Sequence, residues 1–83
     1  MTAKPSNLFF PLCQLPPRAT GRVRELRGDS DFCQRIREMG LGESTRVTKV
    51  SGSHTILCQI NGVRLALSHG AARQILVERV GSG

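Results

Sequence analysis

The chain has 83 residues, of which 39% are hydrophobic and 22% charged, and its formal net charge is +6. A chain of this length forms one hydrophobic core and is too short to enclose a large active-site cavity as well. The composition is typical of a globular domain rather than a disordered tail. The excess of basic residues favours an acidic partner: nucleic acid, an anionic membrane surface or an acidic protein face.

Three segments are predicted along the chain: an N-terminal tail over residues 1–11, a folded domain over 12–80 and a C-terminal tail over 81–83. Prolines from Pro11 onward interrupt the apolar stretch near the N-terminus, so no signal peptide is visible. No segment approaches the ~18 consecutive apolar residues of a membrane span. We therefore expect a cytoplasmic protein.

A strand and a helix are predicted in the first half of the domain. The strand covers residues 19–26, with Gly21 marking a bulge or a close backbone approach inside it. The helix covers about 31–39, because Asp29 or Ser30 can cap its N-terminus.

The end of this helix is also readable from the sequence. Phe32, Ile36 and Met39 recur at the spacing of one helical face, so we expect all three to face the core. Gly40 suits the left-handed backbone that commonly ends a helix, and Leu41 is then expected to pack back on the last turn.

A β-hairpin is the strongest local prediction. Residues 55–60 and 63–68 flank an Asn-Gly dipeptide, which favours a two-residue type I′ turn. Such a turn fixes the register so that Ile60 opposes Val63, and it directs one alternate set of apolar side chains toward the core.

Two more strands complete the predicted domain. Residues 45–51 form one, with the alternation broken at Lys49-Val50, and residues 74–80 form the other after a turn around 70–72. The prediction is a mainly β fold, a small and partly open five-stranded barrel with one short helix after the first strand.

No enzyme template fits the sequence. Phosphate-binding loops and nucleophile elbows are absent, and the six acidic residues do not cluster. Cys13, Cys33 and Cys58 are an odd number without C-x-x-C spacing, which suits neither a disulfide scaffold nor a zinc ribbon. Cys33 and Cys58 are expected to be buried, whereas Cys13 is expected to be more accessible but has no activating neighbour in the sequence. A non-enzymatic protein is predicted.

His54 and His69 form one candidate metal site. Extending the hairpin register places them opposite each other, and directly opposed Cβ atoms lie ~4.5–5.5 Å apart, which lets two imidazoles share an ion. The pair would take a transition metal, Zn or Fe, although nothing in the sequence requires a cofactor. The alternative is that both are ordinary turn residues.

Nucleic acid is the competing partner that the net charge suggests. Small basic barrels that bind single strands usually combine their charge with stacking aromatic side chains. This chain has no Trp or Tyr and three Phe, of which Phe32 is assigned to the core and the others to the tail. No specific nucleic acid is expected, and non-specific binding by a basic barrel stays an alternative.

At residues 35–41, Arg-Ile-Arg-Glu-Met-Gly-Leu, the chain resembles the FeoA family, small cytosolic proteins of bacterial ferrous-iron uptake. Positions that match the family pattern occur throughout the domain: Leu12, Leu15, Pro17, Arg35, Ile36, Met39, Gly40, Leu41, Ile60, Gly62, Leu65, Ala66, Leu67, Ala72, Ile75 and Val77. Arg18 departs from the pattern, since the family frequently has Gly there.

The resemblance implies an SH3-like barrel and an accessory role beside the FeoB-type permease, a membrane protein with a cytosolic GTPase domain. The chain would then be peripheral to the membrane through its partner, and weak homo-oligomers are compatible with it. A metal-sensing or metal-binding module is the other alternative that the two histidines keep open.

The outward face of the predicted hairpin is the candidate partner-binding surface. Leu57 opposes Ala66 there, and Arg64 supplies a basic edge to this apolar centre. Leu41 is expected to extend the apolar area, and the arginines to steer an acidic partner. The alternative is that the N-terminal tail covers this face with one of its two phenylalanines.

Overall fold

The computed structural model describes residues 9–52 and 54–80. The elements in chain order are β1 Phe9–Pro11, β2 Thr20–Leu26, α1 Ser30–Glu38, β3 Arg46–Gly52, β4 Thr55–Ile60, β5 Val63–Ser68, α2 His69–Arg73 and β6 Ile75–Arg79. A single 3₁₀ turn, Leu12–Gln14, follows β1. The strands form one antiparallel sheet in the order β1-β6-β2-β3-β4-β5, so the mainly β class predicted from the sequence is confirmed.

One core lies on the inner face of this sheet. Its buried residues come from five strands, both helices and the segments around them: Leu12, Leu15, Ala19, Val23, Ile36, Leu41, Val47, Ile56, Cys58, Ile60, Leu67, Ala72, Ile75 and Val77. Five of the six described strands contribute side chains to the same core, so the sheet curls around it.

The described strands number six rather than the predicted five. The prediction of a tail over residues 1–11 is wrong for residues 9–11, which form β1 and pair with β6 through Phe10↔Val77 and its neighbours. A three-residue strand that ends in Pro11 leaves no readable alternation, and proline is tolerated there because β1 is an edge strand. Residues 1–8 and 81–83 of the predicted tails lie outside the described residues.

Close backbone approach explains Gly21 in β2. A Cβ at this position would lie 3.1 Å from the Cβ of Val77 on β6. The bulge of this strand falls later, where the register with β6 shifts between Val23 and Glu25.

Helix α1 begins and ends as its sequence predicts. The N–H of Phe32 donates to the Asp29 carboxylate at 2.8 Å, which caps the N-terminus. At the other end Gly40 has φ +99°, and the N–H of Leu41 donates to the carbonyl of Ile36 at 3.0 Å. The left-handed Gly40 and this hydrogen bond form a Schellman motif, which reverses the chain at the end of α1.

The prediction that Met39 faces the core is wrong. Its side chain is 41% exposed, whereas Leu41 is fully buried. The reason is the reversal at Gly40, which brings Leu41 back under the last turn of α1 and gives it the core position that a longer helix would have offered to Met39.

The hairpin has the predicted register. Ile60 pairs with Val63, Cys58 with Leu65 and Ile56 with Leu67. Both residues of the connecting turn have positive φ, 51° at residue 61 and 81° at residue 62, as a type I′ turn requires.

The turn predicted around residues 70–72 is a short helix, α2. The side chain of Ser68 accepts a hydrogen bond from the N–H of Ala71 at 3.0 Å and caps it. Because Ser68 is the last residue of β5, the chain leaves the sheet immediately before His69.

Candidate protein-docking surface

Three of the four predicted partner-binding residues lie together on the outer face of the hairpin. Leu57 is half-buried and pairs with the exposed Ala66, while Gln59 pairs with the exposed Arg64. The Arg64 Nε donates to the Gln59 side-chain oxygen at 3.4 Å. An apolar centre with a basic edge is therefore present on this face.

The fourth residue, Leu41, lies elsewhere. It is 0% exposed in the core, so its side chain supplies no apolar area to a partner. The chain reversal that buries Leu41 exposes Met39 in its place.

Two further arginines extend the outer face of the hairpin across the sheet. Arg22 on β2 is directly opposite Arg46 on β3, and both lie on the face that the core does not occupy. The row continues through the hydrogen-bonded hydroxyls of Thr20 and Thr48, 2.8 Å apart. Since Thr48 pairs with Gln59 and Gln59 with Arg64, the row reaches the hairpin. We call the surface formed by Arg22, Arg46, Leu57, Arg64 and Ala66 the outer-face patch.

Like charges directly opposite each other destabilise a sheet. On its other side Arg22 opposes Glu78 of β6, which offsets part of this cost, but Glu78 forms its ion pair with Arg24, and the Arg22 Nε is buried without a hydrogen-bond partner in the described structure. Arg22, Arg24 and Arg46 thus share one carboxylate on this part of the sheet face, which leaves a net positive site. Sequence reasoning missed the pair because β2 and β3 are joined through a helix, so no short turn fixes their register.

The carboxylate next to Arg22, that of Glu78, is engaged by another arginine. The Arg24 Nε lies 3.5 Å from a carboxylate oxygen of Glu78, and its guanidinium carbon lies 5.5 Å from the ring centroid of Phe9. Phe9 lies on the edge strand β1, and the strands β6, β2 and β3 separate it from Leu57 on β4. Phe10 packs against the core, so neither phenylalanine covers the hairpin as the alternative proposed.

A shallow apolar groove opens on the other side of the hairpin. Its volume is about 200 Å³, and it is lined by Met39, Gly40, Ile60, Asn61, Val63 and Leu65. Met39 and Val63, 41% and 59% exposed, are the exposed large apolar side chains of the described residues. We call it the hairpin groove.

A larger groove of about 430 Å³ lies between α1 and α2. Two of its polar side chains are already engaged, because Asp29 caps α1 and Ser68 caps α2. Its charged side chains are Asp29 and Arg35, and its lining in the described structure contains no second carboxylate, histidine or cysteine that could form an acid–base pair with Asp29.

The strand pairing of the hairpin ends before it reaches His54 and His69. The last pair of the hairpin is Thr55↔Ser68, and His69 is the first residue of α2. The expectation that His54 directly opposes His69 is therefore not met. Over residues 9–52 and 54–80 there is no cluster of three or more His, Cys, Asp or Glu side chains that could hold a metal ion.

The three cysteines differ in burial. Cys33 and Cys58 are buried, as predicted, and Cys13 is half-buried. Burial raises the pKa of the Cys58 thiol to about 11, which keeps it protonated at neutral pH.

Arg37 and Glu43 neutralise each other beside the end of α1. Two hydrogen bonds join them, 3.1 Å from Nε and 2.9 Å from a terminal nitrogen. The hydrogen bonds from Arg37 lower the pKa of Glu43 to about 2. Arg37 therefore adds no uncompensated charge to the surface near the hairpin groove.

Neither helix in the described ranges is long and apolar enough to cross a bilayer.

Comparison with known proteins adds the family. The model of the FeoA domain matches residues 10–79. A solved structure described as the iron uptake regulatory protein FeoA is 25% identical, with a TM-score of 0.81 over 87% of this chain and 97% of its own. FeoA from Stenotrophomonas maltophilia is also 25% identical, with a TM-score of 0.69 over 82% of this chain and 88% of its own.

That second protein was solved in complex with zinc and is described as a prokaryotic SH3 domain protein and a proposed ferrous iron transport activating factor. IdeR from T. acidophilum shares the fold, at 18% identity and a TM-score of 0.81, over 94% of this chain and 37% of its own. No curated protein sequence gives a significant match. The fold is thus SH3-like.

Proposed function

This chain belongs to the FeoA family, and on that premise we propose that it is a non-enzymatic accessory protein of ferrous iron uptake that docks on the cytosolic part of a FeoB-type GTPase permease. It works in the cytoplasm and is peripheral to the membrane through this partner. The outer-face patch is the surface that makes the contact.

The observation that supports this proposal is the excess of positive charge on the patch. Arg22 and Arg46 oppose each other although the pairing costs stability, and the Nε of Arg22 is buried without a partner in the described structure. A carboxylate of a partner protein would accept from both guanidinium groups and remove their repulsion.

The apolar part of the patch supplies the binding energy that charge alone does not. Leu57 and Ala66 lie side by side at the centre, where a partner would exclude water from them. Arg64 at their edge would chiefly speed the encounter with an acidic face, since charges at a rim affect the association rate more than the affinity.

The direct test is co-purification of the tagged protein with the permease from detergent-solubilised membranes. We expect the double variant Leu57→Asp with Arg64→Glu to lose recovery and iron uptake, since a buried carboxylate replaces an apolar anchor and the steering charge is reversed. Arg73→Glu is the control for charge, because Arg73 is exposed on α2 outside the patch. Unchanged recovery of the double variant would refute the patch, and failure of the wild type to co-purify would refute the proposed partner.

A salt titration separates this proposal from binding to nucleic acid. Contacts with phosphates lose affinity steeply as salt rises, whereas a docking surface with an apolar centre keeps part of its affinity. A nucleic-acid complex that persists above ~0.15 M salt would favour the competing function instead.

A further inference from the structure

Strand β5 is an unprotected edge of the sheet. In the described structure it pairs only with β4, over six consecutive residue pairs without a bulge. Proteins usually blunt such edges with proline, bulges or very short strands. The opposite edge is blunted in this way, since β1 has three residues and ends in Pro11, but β5 has six residues, no proline and no bulge, and Arg64 is its one charged side chain against edge pairing.

The hairpin geometry decides which backbone groups of β5 are free to pair. In a hairpin with a two-residue turn, the pair that closes the turn exchanges both hydrogen bonds, and bonded pairs then alternate along the strands. Ile60↔Val63 and Cys58↔Leu65 are therefore bonded pairs. The N–H and C=O groups of Arg64 and Ala66 consequently point away from β4, and no backbone group of the described residues pairs with them.

The two sides of this edge differ in chemistry. On the inner side the hairpin groove presents Met39, Val63 and Leu65, all apolar. On the outer side Arg64 is exposed beside Ala66. A strand added to β5 would place alternate side chains on these two sides, because side chains alternate along any strand.

We infer that β5 binds an extended segment of a partner protein in which apolar residues alternate with acidic ones. The apolar residues occupy the hairpin groove, and the acidic ones lie against Arg64 on the outer face. This inference rests on the proposed function, since it gives the form in which the docking partner meets the protein: backbone pairing supplies the affinity, and the two rows of side chains supply the specificity.

Charge selects such a partner over a second copy of the chain. Two molecules joined through β5 would each bring a net charge of +6, and their Arg64 side chains would lie on the same short edge. Like charges across a strand pair are destabilising, whereas an acidic segment would be attracted by both features.

The test uses a synthetic peptide of about eight residues with alternating Val and Glu, the extended form that strand addition requires. Its reference is the same peptide with Lys in place of every Glu. Isothermal titration is expected to show binding of the acidic peptide that is at least about tenfold tighter than that of the basic one. Equal affinity for the two would refute the assignment of an acidic partner.

Amide exchange followed by NMR tests the backbone pairing without any mutation. The amides of Arg64 and Ala66 are expected to exchange quickly in the free protein and to become protected when the acidic peptide binds. Protection elsewhere, with Arg64 and Ala66 still exchanging, would overturn the inference. Protection of the same two amides without peptide, increasing with protein concentration, would overturn it in favour of a dimer.

Two substitutions at one site isolate the backbone donor. Ala66→Pro and Ala66→Val both change the side chain, but only proline removes the N–H, and edge strands accept proline where this N–H faces solvent. We expect the proline variant to bind the acidic peptide about tenfold more weakly than the valine variant. Equal affinities, in proteins whose circular dichroism shows both to be folded, would refute strand addition.

The same two variants distinguish failure of this inference from failure of the proposed function. If wild type and both Ala66 variants co-purify equally with the permease, docking stands and strand addition is refuted. If the wild type binds the acidic peptide through β5 but does not co-purify, the permease is the wrong partner and the edge still binds an acidic strand.

Discussion

Reversing the charge of Arg46 should stabilise the free protein and weaken its docking. Arg46→Glu replaces the repulsion from Arg22 with an attraction across the same strand pair. Cross-strand pairs of opposite charge contribute ~0.2–1 kcal/mol, and a like-charge pair costs a similar amount, so the exchange is worth about 1 kcal/mol. For a domain of this size that corresponds to an increase in Tm of roughly 4–8 °C.

Two controls separate the pair interaction from the general loss of positive charge. Arg73→Glu lowers the net charge of +6 by the same two units from an exposed position on α2. Arg46→Gln removes the repulsion without adding an attraction, so its gain should be about half that of Arg46→Glu. Thermal unfolding in low salt measures all three, and the gain of Arg46→Glu should shrink in 1 M salt because exposed charges are screened.

The result that would refute this reasoning is a Tm of Arg46→Glu equal to that of Arg73→Glu. The gain would then come from reduced net charge, and Arg22 and Arg46 would not form an interacting pair. Stabilisation together with undiminished recovery of the permease would be equally damaging, because it would show that the unpaired charge has no role in docking.

Three further predictions concern buried or paired side chains. Lys49 is 6% exposed, and its amine donates to the Cys13 carbonyl at 2.9 Å. In urea unfolding, Lys49→Ala should lower the free energy of unfolding by about 3 kcal/mol, because it removes three buried methylenes and a hydrogen bond. Lys49→Met should lower it by about 1 kcal/mol, because methionine keeps the apolar stem. A methionine variant as unstable as the alanine variant would show that the amine, not the stem, matters. Folded Cys58 should resist iodoacetamide at pH 8, since burial raises its pKa to about 11; mass spectrometry that finds it alkylated at the rate of a denatured control would contradict this. The Arg37–Glu43 pair should stabilise the fold fully above the ordinary carboxyl pKa of 4.5 and lose its contribution as the pH falls toward about 2, because folding lowers the pKa of Glu43. Arg37→Gln should remove this part of the pH dependence. An acid unfolding curve that the substitution leaves unchanged would contradict a stabilising role of the pair.

Local chemistry explains which parts of the fold the sequence predicted. The hairpin needed only its Asn-Gly turn and the alternation on either side, both contained in fourteen consecutive residues. The ends of α1 were equally local, since Asp29 and Gly40 act on neighbouring backbone groups. The Met39 prediction failed because periodicity describes a continuing helix, whereas here the helix ends at residue 38.

Non-local pairing explains what the sequence did not reveal. The outer-face patch depends on the register between β2 and β3, which a helix separates in the chain, so the Arg22–Arg46 pair has no local signal. The prediction that His69 opposes His54 failed for a local reason: the cap supplied by Ser68 starts a helix at His69, where the alternation alone would continue the strand. Leu41 carried two incompatible predictions, packing against the last turn of α1 and extending the docking surface, and the structure confirms the first.

The bulge in β2 has a consequence for how this chain tolerates length changes. Before it, odd-numbered Val23 faces the core, and after it even-numbered Leu26 does so, opposite Ile75. The extra residue at Arg24 therefore resets the parity of the strand. Deleting Arg24 would remove the bulge together with one positive charge: Glu25 would follow Val23 directly and still face outward opposite Leu76, and Leu26 would keep its core position opposite Ile75. This strand should consequently accept both substitution and deletion at position 24, whereas removal of a second residue before Leu26 would turn that side chain out to solvent.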